Sequence, residues 1–173
     1  MTKPTEQDVA DLLALKKSLI RIMEWTDRPS NKTPRWLQFE SKCYLGSTMS
    51  EEVTFRAHYR PAGIQHRGAA TINIPEAFYI SLSLREHRVA ALDTLVGQSH
   101  TNKVVAGRPW SGMAISTVSH WHLWTAARDG YAEPVEPPTI EAEVAVAYFC
   151  NRVNLWLNGG FTHPMRGQSG QLL

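Results

Sequence analysis

The segment VTFRAHYR, residues 53–60, alternates strictly between apolar and polar side chains. A period of two residues places successive side chains on opposite faces of a β-strand. The pattern therefore predicts a strand with one face in a core and the other face basic. The apolar set is Val53, Phe55, Ala57 and Tyr59, and the polar set is Thr54, Arg56, His58 and Arg60.

Further segments show the same period and predict more strands. Residues 36–45 suggest a first strand with imperfect alternation, and residues 71–74 suggest a short one. The apolar residues of the first segment are Trp36, Phe39, Cys43, Tyr44 and Leu45. Residues 78–92 alternate again, with Tyr79, Ser81, Ser83, Arg85 and His87 on the polar side. Residues 113–124 complete the β part, with His120, His122 and Trp124 on one shared face.

Two segments repeat their apolar residues at three- and four-residue steps, which is typical of amphipathic helices. The first covers residues 6–23, with Thr5 as its N-cap, and the second covers residues 139–157, with Thr139 as its N-cap. The order predicts one α+β domain over residues 1–173. We expect an N-terminal helix, an antiparallel sheet of about 4–6 strands, a C-terminal helix packed on one sheet face and a mobile tail at 158–173.

Composition excludes several classes of function. The 18 Lys and Arg against 16 Asp and Glu give a net charge of +2, which by itself does not indicate a polyanion partner. The two cysteines, Cys43 and Cys150, form no C-x-x-C pair, and the sequence has no P-loop or Gly-x-Gly-x-x-Gly motif. No apolar run suggests a signal peptide or a membrane span, so we expect a cytoplasmic protein with no membrane partner.

The predicted polar sheet face collects basic and ionisable side chains. If the strands are neighbours, it carries Arg56, His58, Arg60, Arg85, His87, His120 and His122. Arginine forks bind phosphate oxygens, and the nearby rings of Tyr79 and Trp124 suit base stacking. The face therefore favours nucleic-acid binding, and RNA in particular.

Such a face also has the groups that a metal-independent endoribonuclease needs. The reaction requires a base, an acid and a cation. Histidine suits both proton transfers because its unperturbed pKa lies near neutrality. The candidates are His120 or His122 together with His100 as proton-transfer groups. Arg85 or Arg56 would be the cation, and Asn102 an orienting donor.

A metal site is an alternative use of the same histidines. His120 and His122, at i and i+2 on a strand, can chelate one divalent transition metal if another element supplies further ligands. His58, His87 or His100 could complete the set. Without that completion we expect no cofactor.

Two further alternatives remain open at this point. Each histidine could simply be a satisfied structural residue. The chain could instead be a non-enzymatic interaction protein, such as a phage or host-defence inhibitor, that uses its loops and Trp110 to bind a protein partner. A homodimer formed through its basic and acidic surfaces would also fit. Acidic residues near the second helix, namely Glu133, Glu136, Glu141 and Glu143, would suit charge-complementary association.

Residues 88–134 resemble an uncharacterised domain family of bacteria and mobile elements. The pattern consists of Arg88, Asp93, the HTN of residues 100–102, the HWHLW of residues 120–124 and the DGYAEP of residues 129–134. The family has no established activity. The resemblance therefore implies a bacterial or phage setting and no particular reaction.

Overall fold

The computed structural model describes residues 2–29, 35–96, 99–126, 130–139 and 141–166. These residues form two helices, α1 (Glu6–Ala14) and α2 (Ala142–Arg152). Their strands are β1 (Lys17–Leu19), β2 (Thr26–Asp27), β3 (Leu37–Leu45), β4 (Thr48–Arg60), β5 (Gly63–Arg67), β6 (Ala70–Ile74), β7 (Ala77–Leu84), β8 (His87–Leu95), β9 (His100–Thr101), β10 (Ala114–Ile115), β11 (Ser119–Leu123), β12 (Tyr131–Pro134) and β13 (Leu155–Trp156).

The main sheet has nine strands in the described part of the chain. Its order is β12-β11-β8-β7-β4-β3-β1-β13, and β2 pairs with the other end of β3. All neighbours are antiparallel except β1 and β13. The expected α+β class with an antiparallel sheet is confirmed, whereas the expected 4–6 strands are too few. Two separate hairpins, β5–β6 and β9–β10, lie outside the main sheet.

The alternation of β4 is confirmed by burial, because Val53, Phe55, Ala57 and Tyr59 are all buried. These residues belong to one apolar cluster that includes residues of both helices. In that cluster the Phe149 ring of α2 lies 6.1 Å from the Phe55 ring and 5.5 Å from the Trp121 ring. The C-terminal helix therefore packs on the apolar face of the sheet.

The first helix begins as expected and ends early. The Thr5 side chain accepts a hydrogen bond from the Asp8 amide, and the Asp8 carboxylate accepts one from the Thr5 amide, so the predicted N-cap is a complete capping box. The helix ends at Ala14, not at Met23, because the following residues form β1. This strand pairs with β3, and sheet pairing overrides the helical periodicity of the sequence there.

The second helix is also shorter than the expected 139–157. Its N-cap is Glu141 and not the expected Thr139. The Thr139 backbone amide instead donates to Ser119 Oγ at 3.1 Å. Residue 140 lies outside the described residues. The helix ends before Asn154, which has a φ of 52°. Asparagine tolerates this left-handed conformation and commonly ends helices. The Asn154 side-chain Nδ2 donates to the Ala14 carbonyl at 2.8 Å and joins the ends of both helices.

Residues 78–92 form a hairpin and not the single expected strand. Arg85 and Glu86 make the turn between β7 and β8, with φ values of 51° and 68°. Two consecutive positive φ values define a tight hairpin turn that usually contains Asn or Gly, so Arg-Glu gives no turn signal in the sequence. The register pairs Ser83 with Arg88. The chain reversal therefore places Arg88, and not Arg85 or His87, beside the polar residues of β7.

The segment after β13 begins as packed structure. The Trp25 indole donates to the Thr162 carbonyl at 2.8 Å, and the Phe161 ring lies 6.1 Å from the Phe78 ring. The expected mobile tail includes residues 167–173, which lie outside the described residues. Within the described ranges, neither helix has the length and apolar character to cross a membrane.

We expect Asn154→Ala to lower the free energy of unfolding by about 1–2 kcal/mol, because alanine is strained in the left-handed conformation. Asn154→Gly should cost less, since glycine adopts this φ freely and loses only the hydrogen bond to Ala14. Urea unfolding of both variants measures the difference. Equal losses would show that the backbone conformation at this position is not the cause.

Candidate functional site

The register of β8 and β11 brings three ionisable side chains together. Asp93 pairs with His120, and Ala91 pairs with His122. His120 and His122 lie two residues apart on one strand, so both imidazoles are on the same face as Asp93. This face is the polar face of the sheet, because Tyr79 of β7 is the register partner of Asp93 on its other side.

His122 and Asp93 form a nearly buried pair. The His122 Nε2 atom lies 3.0 Å from Asp93 Oδ2, and the two side chains are 7% and 15% exposed. The remaining polar atoms of the pair, His122 Nδ1 and Asp93 Oδ1, are buried and have no hydrogen-bond partner in the described residues. Such unpaired atoms are costly and uncommon. A pair that only stabilised the fold would be expected to have these atoms hydrogen-bonded, so His122 and Asp93 are candidate functional residues.

His100 joins the same cluster from the β9–β10 hairpin. Its ring centroid lies 5.0 Å from that of His122, with the rings nearly perpendicular, and 6.2 Å from that of His120. The His100 Nε2 atom lies 2.7 Å from the Gly130 carbonyl oxygen, which requires the proton to be on Nε2. The hairpin therefore covers the polar face of β11, and His100 is its contribution to the site.

His120 is the most enclosed of the three histidines. It is 3% exposed, and its Nε2 lies 3.2 Å from the Ile115 carbonyl oxygen of β10. Burial lowers the pKa of His120, and the neighbouring His122 and His100 lower it further, against the raising effects of the Ile115 carbonyl and Asp93. Burial thus favours the neutral form of the ring, which links the hairpin to the sheet through the Ile115 carbonyl.

Asn102 also holds this hairpin in place. Its Nδ2 donates to the carbonyls of Trp110 at 2.8 Å and Ala132 at 2.7 Å, and its Oδ1 accepts from the Ala132 amide at 2.7 Å. The side chain is buried, and its amide group is fully engaged with the backbone. Asn102 thus orients the loop that carries His100, while Trp110, expected as an exposed aromatic, is half-buried.

Two arginines expected on the basic face are engaged by neighbouring groups. The Arg56 Nε atom lies 2.6 Å from Glu40 Oε2, and Arg60 donates to the Pro75 carbonyl at 2.9 Å. Between them on β4, His58 is half-buried. Burial lowers the pKa of His58, and the charges of Arg28 and Arg56 lower it further.

Arg85 lies away from the histidines, at the β7–β8 turn. It contacts Glu52 Oε2 at 3.0 Å and Asp8 Oδ2 at 3.5 Å, so its charge is balanced at the edge near α1. The arginine that lies near the histidines is Arg88, which shares a cavity wall with His122. The Arg88 Nη1 atom donates to the Tyr79 hydroxyl at 2.7 Å. Because Tyr79 is the strand neighbour of Asp93, this hydrogen bond holds the guanidinium on the side of the sheet that carries the pair.

A cavity of about 240 Å³ adjoins the cluster. His122 forms part of its wall, together with Arg88, His87, Trp124 and Gly130. The His87 and Trp124 rings contact each other at 5.7 Å. The cavity therefore combines one member of the His–Asp pair with a cation and two rings.

Asp93 and Arg88 lie beside His122, although residue type and strand period do not predict a role for either of them. The available signal was their presence in the 88–134 pattern, together with His100, His120 and His122. Spacing along the chain alone does not indicate that Asp93 reaches His122, since this depends on how β8 pairs with β11.

Three histidines and one aspartate meet in this cluster, but they are not arranged as the ligands of one metal ion. No group of three or more His, Cys, Asp or Glu side chains in the described ranges could hold a metal ion. The His120 and His122 rings instead contact Ile115 and Asp93. The fold and site thus define an α+β protein with a buried His–Asp pair on an antiparallel sheet.

The comparisons with known proteins add no relative to this description. No family model, curated protein or solved structure matches the chain.

We expect stability to fall as the pH decreases below about 6.5, the usual pKa of histidine, partly through His120. Because burial lowers the pKa of His120, the unfolded chain takes up this proton at a higher pH than the folded protein does. His120→Gln should therefore show a smaller loss than wild type between about pH 7.5 and about pH 5.5 in urea unfolding. His66→Gln, in the exposed β5–β6 hairpin, is the matched control. Identical losses in wild type and His120→Gln would exclude this role.

Proposed function

We propose that the protein binds RNA and cleaves it without a metal ion, using His122, Asp93, His100 and Arg88. The observation that carries this proposal is the buried His122–Asp93 pair with its unpaired His122 Nδ1, next to a second histidine and a cavity. General acid–base catalysis uses such groups. A histidine oriented by a carboxylate can serve as the base.

The pair fixes which nitrogen of His122 can accept a proton. Asp93 is acceptor-only when ionised, so His122 Nε2 carries the proton of their hydrogen bond and Nδ1 keeps its lone pair. In the proposed reaction the cavity wall opens as RNA binds, and His122 Nδ1, which is buried in the unbound protein, takes the proton of the RNA 2′-hydroxyl. The 2′-oxygen then bonds to phosphorus as the bond from phosphorus to the 5′-oxygen breaks.

His100 is proposed as the acid of this reaction. Its protonated ring would give a proton to the leaving 5′-oxygen, so the products are a 2′,3′-cyclic phosphate and a free 5′-hydroxyl. The two imidazoles lie close enough to act on one phosphodiester, with ring centroids 5.0 Å apart. One proton is taken from the 2′-hydroxyl and one is given to the 5′-oxygen, so the step needs no redox partner.

Arg88 is proposed as the cation that stabilises charge on the phosphate. Within the described residues the Arg88 side chain donates to the Tyr79 hydroxyl, whereas Arg56 and Arg85 face carboxylates. No carboxylate in the described residues forms a salt bridge with Arg88. A cation with an uncompensated charge beside a cavity suits phosphate binding.

Protein binding is a second candidate function, supported by a separate surface. Trp156 is 67% exposed beside an apolar groove of about 490 Å³ between α2 and the segment after β13. Exposed apolar surface of this kind is typical of interaction sites. In that function the histidine cluster would be structural, and His122→Ala would leave partner binding unchanged.

We expect His122→Ala and His100→Ala each to lower the rate of RNA cleavage by about 10²–10⁴-fold, the usual contribution of one proton-transfer group. The measurement uses labelled oligoribonucleotides with tagless protein, and the products are examined for a 2′,3′-cyclic phosphate. His66→Ala, in the exposed β5–β6 hairpin, should cleave as wild type does.

A metal chelator distinguishes the alternative metal mechanism. Cleavage that continues unchanged in the chelator supports the His-based reaction, whereas loss of cleavage would contradict it. An oligonucleotide with a single 2′-deoxy sugar at the cleaved position should resist cleavage, because the attacking hydroxyl is missing. Wild-type rates in both histidine variants would exclude the proposed site.

A further inference from the structure

The β5–β6 hairpin stands apart from the rest of the fold. It forms a sheet of its own with two strands, and every residue from Gly63 to Ile74 is exposed or half-buried. Ile64 and Ile72 are 60% and 39% exposed. A single two-stranded hairpin is only marginally stable in water, and its apolar side chains stabilise it only where a partner covers them. The hairpin is therefore a candidate interaction element.

The two terminal strands of the main sheet are protected from pairing with another chain, whereas β6 is not. On β12, the Asn102 side chain binds both backbone groups of Ala132, with 2.7 Å from Nδ2 to the carbonyl oxygen and 2.7 Å from Oδ1 to the amide nitrogen. At the other end of the sheet, β13 has only two residues. Covered edges and very short edge strands are usual ways to prevent association. Strand β6 has five residues and contains neither a charged residue nor a proline.

The register of the hairpin shows which backbone groups of β6 face outwards. Arg67 pairs with Ala70 across a two-residue loop. The pair that flanks such a loop exchanges both of its hydrogen bonds, and hydrogen-bonded pairs then alternate with non-hydrogen-bonded pairs along the two strands. The amide and carbonyl groups of Thr71 and Asn73 therefore face away from β5. In the described residues, no other strand pairs with this edge.

The sequence of β6, Ala-Thr-Ile-Asn-Ile, is complementary to itself in the antiparallel direction. A twofold axis at Ile72 sets this residue opposite its own copy and sets Thr71 opposite the partner's Asn73. The outward amide and carbonyl groups of Thr71 and Asn73 then pair in both directions, which gives four backbone hydrogen bonds. Apolar side chains meet on one face of the new sheet, uncharged polar side chains meet on the other, and no like charges are opposed.

The outer edge of β5 does not offer the same match. A twofold axis at its middle residue, Gln65, would set Ile64 opposite the partner's His66 and Gly63 opposite the partner's Arg67. An apolar side chain would then face an imidazole. Charged side chains on an edge strand also discourage pairing with another chain. The composition of the two strands therefore favours β6 as the pairing edge.

We propose that the protein forms a homodimer in which the β6 strands of two copies pair antiparallel about Ile72. The two hairpins become one sheet with the order β5-β6-β6-β5. The contact uses the same edge of both copies, so it closes at the dimer and does not propagate. Because five-residue strands bury little area, the dimer dissociates on dilution. The histidine cluster takes no part in this interface, so dimerisation does not depend on RNA cleavage.

Disulfide cross-linking of the full chain tests the register. Opposite residues of a non-hydrogen-bonded pair have Cα atoms about 4.5 Å apart, a separation that a disulfide bond can span. Ile72→Cys should therefore give a covalent dimer on mild oxidation, visible on a non-reducing gel and lost on reduction. Ile64→Cys is the matched control from the same hairpin. Its two copies would lie three strand spacings apart, about 14 Å, so it should cross-link no more than wild type does.

Sedimentation velocity over a series of protein concentrations measures the association without a cross-link. Wild type should change from monomer to dimer mass as the concentration rises. Ile72→Lys should weaken the dimer by at least about tenfold, because two like charges would meet at the twofold axis. Ile64→Lys, which places the same charge on the other strand of the hairpin, should associate as wild type does.

Wild type that stays monomeric at every concentration would overturn the dimer. Equal cross-linking of Ile72→Cys and Ile64→Cys would overturn the assignment of β6. A dimer that persists in Ile72→Lys and is lost in Trp156→Ala would place the interface at the Trp156 groove and would also overturn it. None of these measurements involves RNA, so this inference and the proposed cleavage can fail separately.

Discussion

The antiparallel pairing of β8 with β11 is the constraint on which the candidate site depends. It sets Asp93 opposite His120 and diagonal to His122, on the polar face of the sheet. A slip of one residue would turn both imidazoles towards the apolar core. The β9–β10 hairpin then covers this face, adds His100 and excludes water. Low solvent access strengthens the hydrogen bond between His122 and Asp93 and makes their unpaired atoms costly.

The parts of the fold that follow local rules could be predicted from the sequence. The alternation in β4 and the N-cap at Thr5 were both predicted correctly, because each depends on residues within one strand or one helical turn. The ends of the two helices could not be predicted in this way. The helical pattern of the sequence continues past the end of each helix, but the residues there form β1 and β13. These two strands pair although they are about 140 residues apart in the chain. Asn154 is of a residue type that commonly ends a helix, but a single such residue does not outweigh the helical period around it.

The candidate site was predictable only in part for the same reason. The shared face of His120 and His122 follows from strand periodicity, and His100 was a candidate by residue type. The roles of Asp93 and Arg88 depend on register across three strands, and register is a property of tertiary structure. The Arg85–Glu86 turn has no glycine or asparagine, so the sequence does not indicate a turn there. Without that turn, Arg85 and not Arg88 is expected on the polar face.

The tautomer of His122 decides whether this residue can act as the base. Long-range proton–nitrogen spectra of labelled protein, recorded with wild type and Asp93→Asn, identify which ring nitrogen carries the proton. We expect a proton on Nε2 and a free lone pair on Nδ1 in wild type, because Asp93 accepts from Nε2. A proton on Nδ1 in the neutral ring would contradict this assignment, since the lone pair of His122 would then be on Nε2, directed at Asp93 and not at a substrate.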